Sequence, residues 1–314
     1  MANVTTVAVL PPAVREYYDR LLLMTAYPQL IHTKFAQKRI LPEKMGDTIV
    51  FRRYARLATV PIPLSDGITP PGAPLSASDI KARVDFYGNF VTITNQVELT
   101  VEDRVLNEAA RLLAQNLGQT IDEVTRDVLA STASTLACSN GVNGSTPTEL
   151  TKADLDSAVF TLLGNDAEMI SEIIVGRDAF GTAPVRPAFW AYIDTALLDD
   201  LEAVSNFVHS SQYPNQQSVL DSEWGTTGNI RWLYTSVGSV SAAATPVYDN
   251  FIVGKEAYAV VHLGGETGEF YIEPLGSAGS ADPLHQRGTV GWQHPFVSRI
   301  LNDAFMVNLQ ATHS

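Results

Sequence analysis

Two β-rich arms flanking a proline-rich centre place the strongest constraint on the fold of this 314-residue chain. The arms, residues 48–57 and 79–98, are rich in Val, Ile, Phe, Tyr and Thr, which favour strands. They predict a long β-hairpin whose arms of about ten residues each reach roughly 33 Å. Because a two-stranded ribbon alone is marginally stable in water, such a hairpin needs a surface to lie on. A neighbouring copy of the chain is the natural candidate.

The centre of the hairpin, residues 58–78, is stiff and almost uncharged. Asp66 is its charged residue, and five prolines remove backbone donors and favour extended conformations. The prolines are Pro61, Pro63, Pro70, Pro71 and Pro74. We predict that this tip forms part of an inter-subunit contact.

A long amphipathic helix is predicted after the hairpin. Residues 100–103 resemble a capping box, and apolar residues then recur every three or four positions as far as Val128. The pattern predicts a helix over residues 102–136, about 50 Å long at roughly 1.5 Å per residue. Its apolar stripe is interpreted as ordinary core packing.

The second half of the chain is predicted to be mixed α/β. Thr151 and Asp154 are expected to cap a helix that ends near Gly164, and residues 186–203 are predicted to form another helix. Buried or half-buried strands are predicted at residues 169–175, 230–236, 250–253, 257–263, 288–292 and 304–310.

The charge of the chain is unevenly distributed. The net charge of −13 argues against a protein that grips nucleic acid along its backbone, although an acidic wall can still enclose it. The hairpin region is net +2, with the bases Arg52, Arg53, Arg56, Lys81 and Arg83 against the acids Asp66, Asp79 and Asp85. The helix is net −3, and its acids are Glu102, Asp103, Glu108, Asp122, Glu123 and Asp127. Opposite charges predict that each hairpin lies over a neighbour's helix; the alternative is that these charges only solvate exposed faces.

We predict no catalytic residue, no metal site and no cofactor. The six histidines lack metal-ligand spacing, and the single cysteine, Cys138, cannot form a cysteine-based zinc site. A G-x-S-x-G elbow is absent, and Gly254-Lys255 lacks the rest of a P-loop. The run from Gly264 to Gly268 is interpreted as a hairpin turn rather than a phosphate cradle. The acidic group Asp199, Asp200 and Glu202 is interpreted as a solvated face, with a divalent-ion site as the alternative.

The sequence also predicts that the protein does not enter a membrane. Its first residues lack the basic region of a signal peptide, and its apolar stretches are too short to span a bilayer. The single cysteine suits a reducing cytoplasm.

Several stretches resemble the major capsid proteins of tailed bacteriophages with the Hong Kong 97-type fold, and in particular the phage N4-like major capsid family. They include LPEKMGDTIVFRRY (41–54), PLSDGITPPG (63–72), YGNFVTITNQVELT (87–100), GTTGNIRWLYT (225–235), PVYDNFIVGKEAYAVV (246–261) and DPLHQRGTVGWQHPFVSRILNDAFMVNLQ (282–310). The last is the most specific, and together they cover most of the chain.

The resemblance implies an α+β fold of five parts. They are an N-terminal arm with a short helix (1–47), a hairpin called the E-loop (48–99), the spine helix and loop of the peripheral or P-domain (100–150), a mixed α/β axial or A-domain (151–287) and closing P-domain strands (288–314). In this family the E-loop lies over the adjacent subunit. Some relatives join these parts by Lys–Asn isopeptide bonds, but residues 57–80 contain neither Lys nor Asn, so that crosslink is not expected here.

The resemblance implies a structural protein that assembles through hexamers and pentamers into an icosahedral head around double-stranded DNA. It would be made in the bacterial cytoplasm, end in the virion and enclose DNA without specific binding. Its partners would be further copies of itself, a portal, and a scaffold or a cement (decoration) protein. The first alternative is an encapsulin-like nanocompartment shell, and the remote alternative is a soluble cytoplasmic hydrolase. The expected interface residues are the five prolines of the hairpin, its charged residues Arg52, Arg53, Arg56, Asp66, Lys81 and Arg83, and the six acids of the helix named above.

Overall fold

The fold is that of a computed structural model, which describes residues 31–42, 44–57, 72–95, 105–170, 187–213, 219–241, 245–264, 268–273, 277, 282–284 and 286–313. Several predictions lie outside these residues. They concern the short helix near residues 13–25, the capping box at residues 100–103, most of the hairpin tip and residues 171–175 of the predicted strand. Within the described ranges, none of the helices has the length and apolar character needed to cross a bilayer.

The described chain contains three α-helices and fifteen strands. The helices are α1 (Val105–Ala130), α2 (Lys152–Gly164) and α3 (Leu198–Ala203). The strands are β1 (Gln37–Leu41), β2 (Thr48–Tyr54), β3 (Ala77–Arg83), β4 (Asp85–Thr94), β5 (Thr135–Ala137), β6 (Phe189–Asp194), β7 (Phe207–His209), β8 (Glu223–Thr227), β9 (Ile230–Thr235), β10 (Ser239–Ser241), β11 (Val247–Val253), β12 (Tyr258–Leu263), β13 (Glu269–Glu273), β14 (Arg287–Ile300) and β15 (Met306–Thr312). Short 3-10 helices occupy Thr195–Leu197, Ser210–Gln212 and Asp303–Phe305.

The predicted hairpin is present as a two-stranded antiparallel ribbon of β2 and β3. Thr48 pairs with Arg83 at one end and Tyr54 with Ala77 at the other. The return arm then divides, because β4 leaves the ribbon after Val84 and pairs with β14 instead. The ribbon is therefore shorter than the expected span 48–99. Buried Val84 packs with Leu41 and Val261, and these contacts hold its base.

A five-stranded sheet surrounds the long strand β14. β4 pairs along one part of β14, β12 and β13 pair with successive segments of it, and β1 adds to β12 in parallel. Since β12 and β13 pair with β14 and not with each other, the hairpin predicted at Gly264–Gly268 is wrong.

An eight-stranded sheet forms the second layer, in the order β5-β15-β11-β6-β9-β8-β7, with β10 also paired to β11. The last two strands separate, because β14 belongs to the first sheet and β15 to the second. Strands β12 and β13, which fall inside the expected 151–287 unit, also belong to the five-stranded sheet. The expected boundaries of the A- and P-domains stay a prediction.

Helix α1 packs its predicted apolar stripe into the core, where Ala110, Leu113, Leu117 and Ile121 are buried. It ends at Ala130 rather than at residue 136, and its 26 described residues span about 39 Å at 1.5 Å each. The helix ends at Ala130 because residues 135–137 form β5 and pair in parallel with β15.

Helix α2 begins and ends as predicted. The Thr151 hydroxyl accepts the backbone N–H of Asp154, whose carboxylate in turn accepts the backbone N–H of Thr151. By contrast, the helix predicted over residues 186–203 is wrong, because its first part is strand β6, followed by a 3-10 turn and the short α3.

Two apolar cores lie on opposite faces of the eight-stranded sheet, and β6 contributes to both. Trp190 and Tyr192 enter the core beneath α1, whereas Phe189, Ala191 and Ile193 enter the core beneath α2. The core beneath α1 also includes residues of the five-stranded sheet, such as Trp292 and Tyr258, and so joins the two layers.

Candidate assembly surfaces

The arginines of the ribbon and of the residues next to it lie on the surface and contact acids or amides of their own chain. Arg52 donates two hydrogen bonds to Asp79, its partner across the ribbon, at 2.9 and 3.2 Å, and this bonding lowers the pKa of Asp79. The other contacts are Arg83 to Asp47, Arg53 to Asn302 and Arg56 to Asp166. Lys81 and Pro74 are exposed. Exposed ion pairs stabilise weakly, so these arginines remain available to another partner.

Apolar side chains on the ribbon are also exposed. Tyr54 is 62% and Leu75 is 73% exposed, and Val50 and Leu57 are about half exposed. Exposed apolar side chains grouped on a surface are typical of contact surfaces.

The acids of the spine helix do not form one surface. Asp122 is 2% exposed, so its assignment to the inter-subunit surface is corrected. Glu123 accepts a hydrogen bond from Gln119, and Asp127 contacts Arg126 at the surface. The predicted residues Pro61, Pro63, Asp66, Pro70, Pro71, Glu102 and Asp103 lie outside the described residues, as does the side chain of Glu108.

Asp122 instead anchors the segment that precedes β1. Its carboxylate accepts the backbone N–H groups of Ile31 and His32 at 2.9 and 2.8 Å and contacts the His32 ring at 2.7 Å. The Tyr258 hydroxyl donates to the His32 carbonyl and meets the Tyr192 hydroxyl at 2.9 Å. Burial raises the pKa of both tyrosines. We call Asp122, His32, Tyr192 and Tyr258 the anchor cluster; it joins α1 to both sheets.

A hollow on the outer face of the five-stranded sheet was not predicted. Its walls are Phe86 and Phe90 of β4 and Tyr271 of β13, and its floor is Gly88 and Gly291, enclosing about 310 Å³. In register, Phe90 and Tyr271 pair with Gly291 from opposite sides, and Phe90 is 68% exposed. We call these five residues the aromatic hollow. Strand register creates it, so no local sequence signal marks it.

The glycine floor of the aromatic hollow has a steric cause. A Cβ added to Gly291 would lie 2.8 Å from the Phe90 Cβ, and one added to Gly88 would lie 2.9 Å from the Trp292 carbonyl oxygen. Exposed Glu269 and Glu273 flank Tyr271 on β13, so the rim of the hollow is acidic.

Titratable groups elsewhere have structural contacts. Glu202 accepts the Trp224 indole N–H, and Asp200 contacts His313, so the predicted acidic group is divided between separate bonds. Burial raises the pKa of the Cys138 thiol. Across the described ranges, no three His, Cys, Asp or Glu residues are grouped closely enough to hold a metal ion.

Comparison with known proteins identifies the family. A family model described as "Phage capsid protein" matches residues 77–299, well over half of the chain. No curated protein matches the sequence.

Solved structures share the fold at low identity. The head of Helicobacter pylori bacteriophage KHP40 matches with a TM-score of 0.64 and 13% identity, covering 90% of this chain and 88% of that one. The capsid of Ralstonia phage GP4 matches with a TM-score of 0.64 and 12% identity, covering 89% and 87%. The SrpI encapsulin of Synechococcus elongatus PCC 7942 matches with a TM-score of 0.55 and 10% identity, covering 98% and 90%.

These comparisons confirm the Hong Kong 97-type fold and a structural, non-enzymatic role. The narrower N4-like assignment stays a prediction, since the matching family is broader. The ribbon, the spine helix and the two sheets are thus parts of a shell subunit, and the chain belongs to the phage capsid protein family.

Proposed function

We propose that this protein is the major capsid protein of an N4-like tailed phage and that it forms the hexamers and pentamers of an icosahedral head. The head would assemble in the bacterial cytoplasm and enclose double-stranded DNA without specific binding. The acidic balance of the chain supports a wall that does not adhere to phosphate. A portal, a scaffold and a cement protein would be further partners.

The observation that carries this proposal is the ribbon with exposed apolar and basic side chains on a chain of the capsid family. The described part of the ribbon presents exposed side chains that its own contacts leave open. Of the interface residues expected from the sequence, we retain Arg52, Arg53, Arg56, Pro61, Pro63, Asp66, Pro70, Pro71, Pro74, Lys81, Arg83, Glu102, Asp103, Glu108, Glu123 and Asp127, without Asp122.

The aromatic hollow is the best-suited acceptor on the neighbouring copy. Proline-rich segments bind aromatic-lined grooves because their extended backbone is already ordered. The acidic rim formed by Glu269 and Glu273 complements the basic ribbon. The spine helix is the alternative acceptor, and because Asp122 is buried, this helix presents one acid fewer to a neighbour. Each ribbon would therefore lie over the outer sheet face of the next subunit.

Deletion of residues 60–75 tests this contact. We expect a subunit with unchanged circular dichroism and tryptophan fluorescence that no longer forms closed shells in sedimentation velocity and negative-stain microscopy. Shells of normal stability from the deletion variant would contradict the proposal.

A point variant tests the acceptor separately. Phe90→Ser should weaken assembly while leaving the fold intact, because Phe90 is already largely exposed. Val142→Ser is the matched control, since Val142 is 67% exposed outside the hollow. Equal effects of the two variants would exclude the hollow as the acceptor.

A nanocompartment shell is the second candidate, because the encapsulin structure matches 98% of the chain. The neighbouring genes discriminate the two. Genes for a terminase and a portal would support the phage head, and a gene for a cargo enzyme would support the nanocompartment.

A further inference from the structure

Two histidines face each other on the inner side of the five-stranded sheet. His262 lies on β12 and His294 on β14, with the His262 Nδ1 atom 3.2 Å from the His294 Nε2 atom. The ring centroids are 5.3 Å apart, and Phe296 packs beside both rings. His294 is 1% exposed. We call these two residues the histidine pair.

The histidine pair occupies a discontinuity in the sheet. β14 pairs with β12 from Phe296 to Ile300 and with β13 from Thr289 to Gln293, so His294 lies where the partner changes. Gly268, which precedes β13, has a φ of +106°, and a Cβ there would lie 3.8 Å from the His294 Nδ1 atom. Within the described part of the chain, that nitrogen has no hydrogen-bond partner.

The surroundings of the pair oppose positive charge. The pKa of both histidines is lowered to about 4, chiefly by burial. The charge of Lys38 on β1 makes a smaller contribution for His262, and His262 makes one for His294. From β4, Tyr87 pairs with His294 in register, and burial raises its pKa, with a smaller contribution from Asp85. From α1, apolar Leu117 lies against Gly268 near the pair.

We propose that the histidine pair is an acid-sensitive joint, in which only neutral rings fit between β12 and β14, so that the subunit loses stability as the solution becomes acidic. The neutral pair has one ring nitrogen donating to the other. Two protonated rings would place like charges about as far apart as a hydrogen bond and leave no acceptor between them. This inference does not depend on how the subunits assemble.

The direction of the effect follows from the two states of the chain. Unfolded histidines take up protons near pH 6.5, whereas the folded pair does so near pH 4. The contribution of the neutral pair to stability is therefore complete above about pH 6.5 and is lost as the pH falls toward 4. At pH 5 the unfolding constant should rise on the order of 30-fold for each histidine, relative to neutral pH.

The test compares the full-length protein with its His294→Phe variant. Phenylalanine has a ring of similar size that cannot be protonated. The substitution removes the bond between His294 Nε2 and His262 Nδ1, whereas the His294 Nδ1 atom has no bond to lose. Urea unfolding followed by tryptophan fluorescence at pH 8, 6 and 5 gives the unfolding constant at each pH. Between pH 8 and pH 5, the unfolding constant of the variant should rise about 30-fold less than that of the wild type.

His209→Gln serves as the control, because it removes an imidazole from β7 in the other sheet and should keep the wild-type pH dependence. His262→Gln is the second variant should His294→Phe fail to fold. If neither folds, NMR titration of the imidazole signals in the unmodified protein decides the question. Equal pH dependence in wild type and variants, or rings of the pair that titrate near pH 6.5, would overturn the proposal.

Discussion

Asp122 places a carboxyl group in the interior, where three hydrogen bonds replace those it would make to water. The sequence of the helix gives a weak signal that Asp122 is buried. Asp122 follows Ile121 of the apolar stripe, and Thr125 and Leu129, one and two turns further along the helix, are also buried. That flank of α1 therefore faces inward, although acids on a helix are usually solvated.

Asp122→Ala should destabilise the fold by about 3 kcal/mol, because it leaves the half-buried N–H of Ile31 and the buried N–H of His32 without acceptors. Chemical denaturation of the purified subunit measures this change. The control is Asp127→Ala on the same helix, where an exposed side chain predicts a change within about 0.5 kcal/mol. Similar losses from the two variants would argue against the anchor cluster.

A second buried charge lies in the eight-stranded sheet. Arg231 donates to both carboxylate oxygens of Glu223 at 2.7 and 2.6 Å, and its guanidinium lies 4.4 Å from the centre of the Trp190 ring. Both charged side chains are almost completely buried. The pair thus fixes how β8 and β9 lie against β6.

Glu223→Gln should cost about 3 to 5 kcal/mol of stability, because it leaves the buried guanidinium without a countercharge. Thermal and urea unfolding provide the measurement. Asp79→Asn breaks an exposed Arg–Asp pair of the same chemistry and should leave the free energy of unfolding nearly unchanged. A small effect of Glu223→Gln would mean that water reaches the pair.

At the scale of elements, tight cross-strand contacts decide where a side chain is tolerated. Gly291 lies between Phe90 and Tyr271, and a Cβ there would be closer to Phe90 than real Cβ contacts allow. The floor of the aromatic hollow therefore requires glycine.

Gly291→Ala should destabilise the sheet by about 1 to 3 kcal/mol through overpacking. Gly164→Ala is the matched control, since a Cβ at the end of α2 meets no atom within 4 Å. Denaturant midpoints compare the two variants. If Gly291→Ala were as stable as the control, β4 would have to shift away from β14 without loss of stability.

Elements whose signals are local could be predicted from the sequence. The capping box formed by Thr151 and Asp154 located α2, and strand runs located β9 and β12 closely and the last four residues of β11. The misassigned segment is informative, since β6 is buried on both faces and is apolar at every position from Phe189 to Ile193. Such a run lacks the alternation of a half-buried strand and cannot be distinguished from a buried helix by periodicity.

Features that depend on pairing between distant residues could not be predicted in this way. The ribbon was predicted because its two strands are close in sequence. The aromatic hollow requires the register of β4, β13 and β14. Strands β14 and β15 belong to different sheets, and the local sequence of neither strand indicates which sheet it joins. The family resemblance supplied the overall fold but not these contacts.

At the scale of the whole molecule, purified protein alone should form megadalton rings or closed shells. The measurement is sedimentation velocity with negative-stain microscopy on the same sample. Strictly monomeric or dimeric protein at high concentration would contradict unaided self-assembly. Co-expression with phage genes would then show whether a scaffold is required.

The anchor cluster also has a consequence for the order of folding. Tyr258 bonds to His32 across 226 residues of sequence, and β1 finds its parallel partner in β12. A ribosome releases the segment from His32 to Leu41 long before these partners are synthesised, and contacts of such separation form slowly because a long loop must close first. The base of the ribbon also cannot form before residue 261 is synthesised, since Val84 packs against Val261. We therefore expect the base of the ribbon to form during translation only after most of the chain has been synthesised.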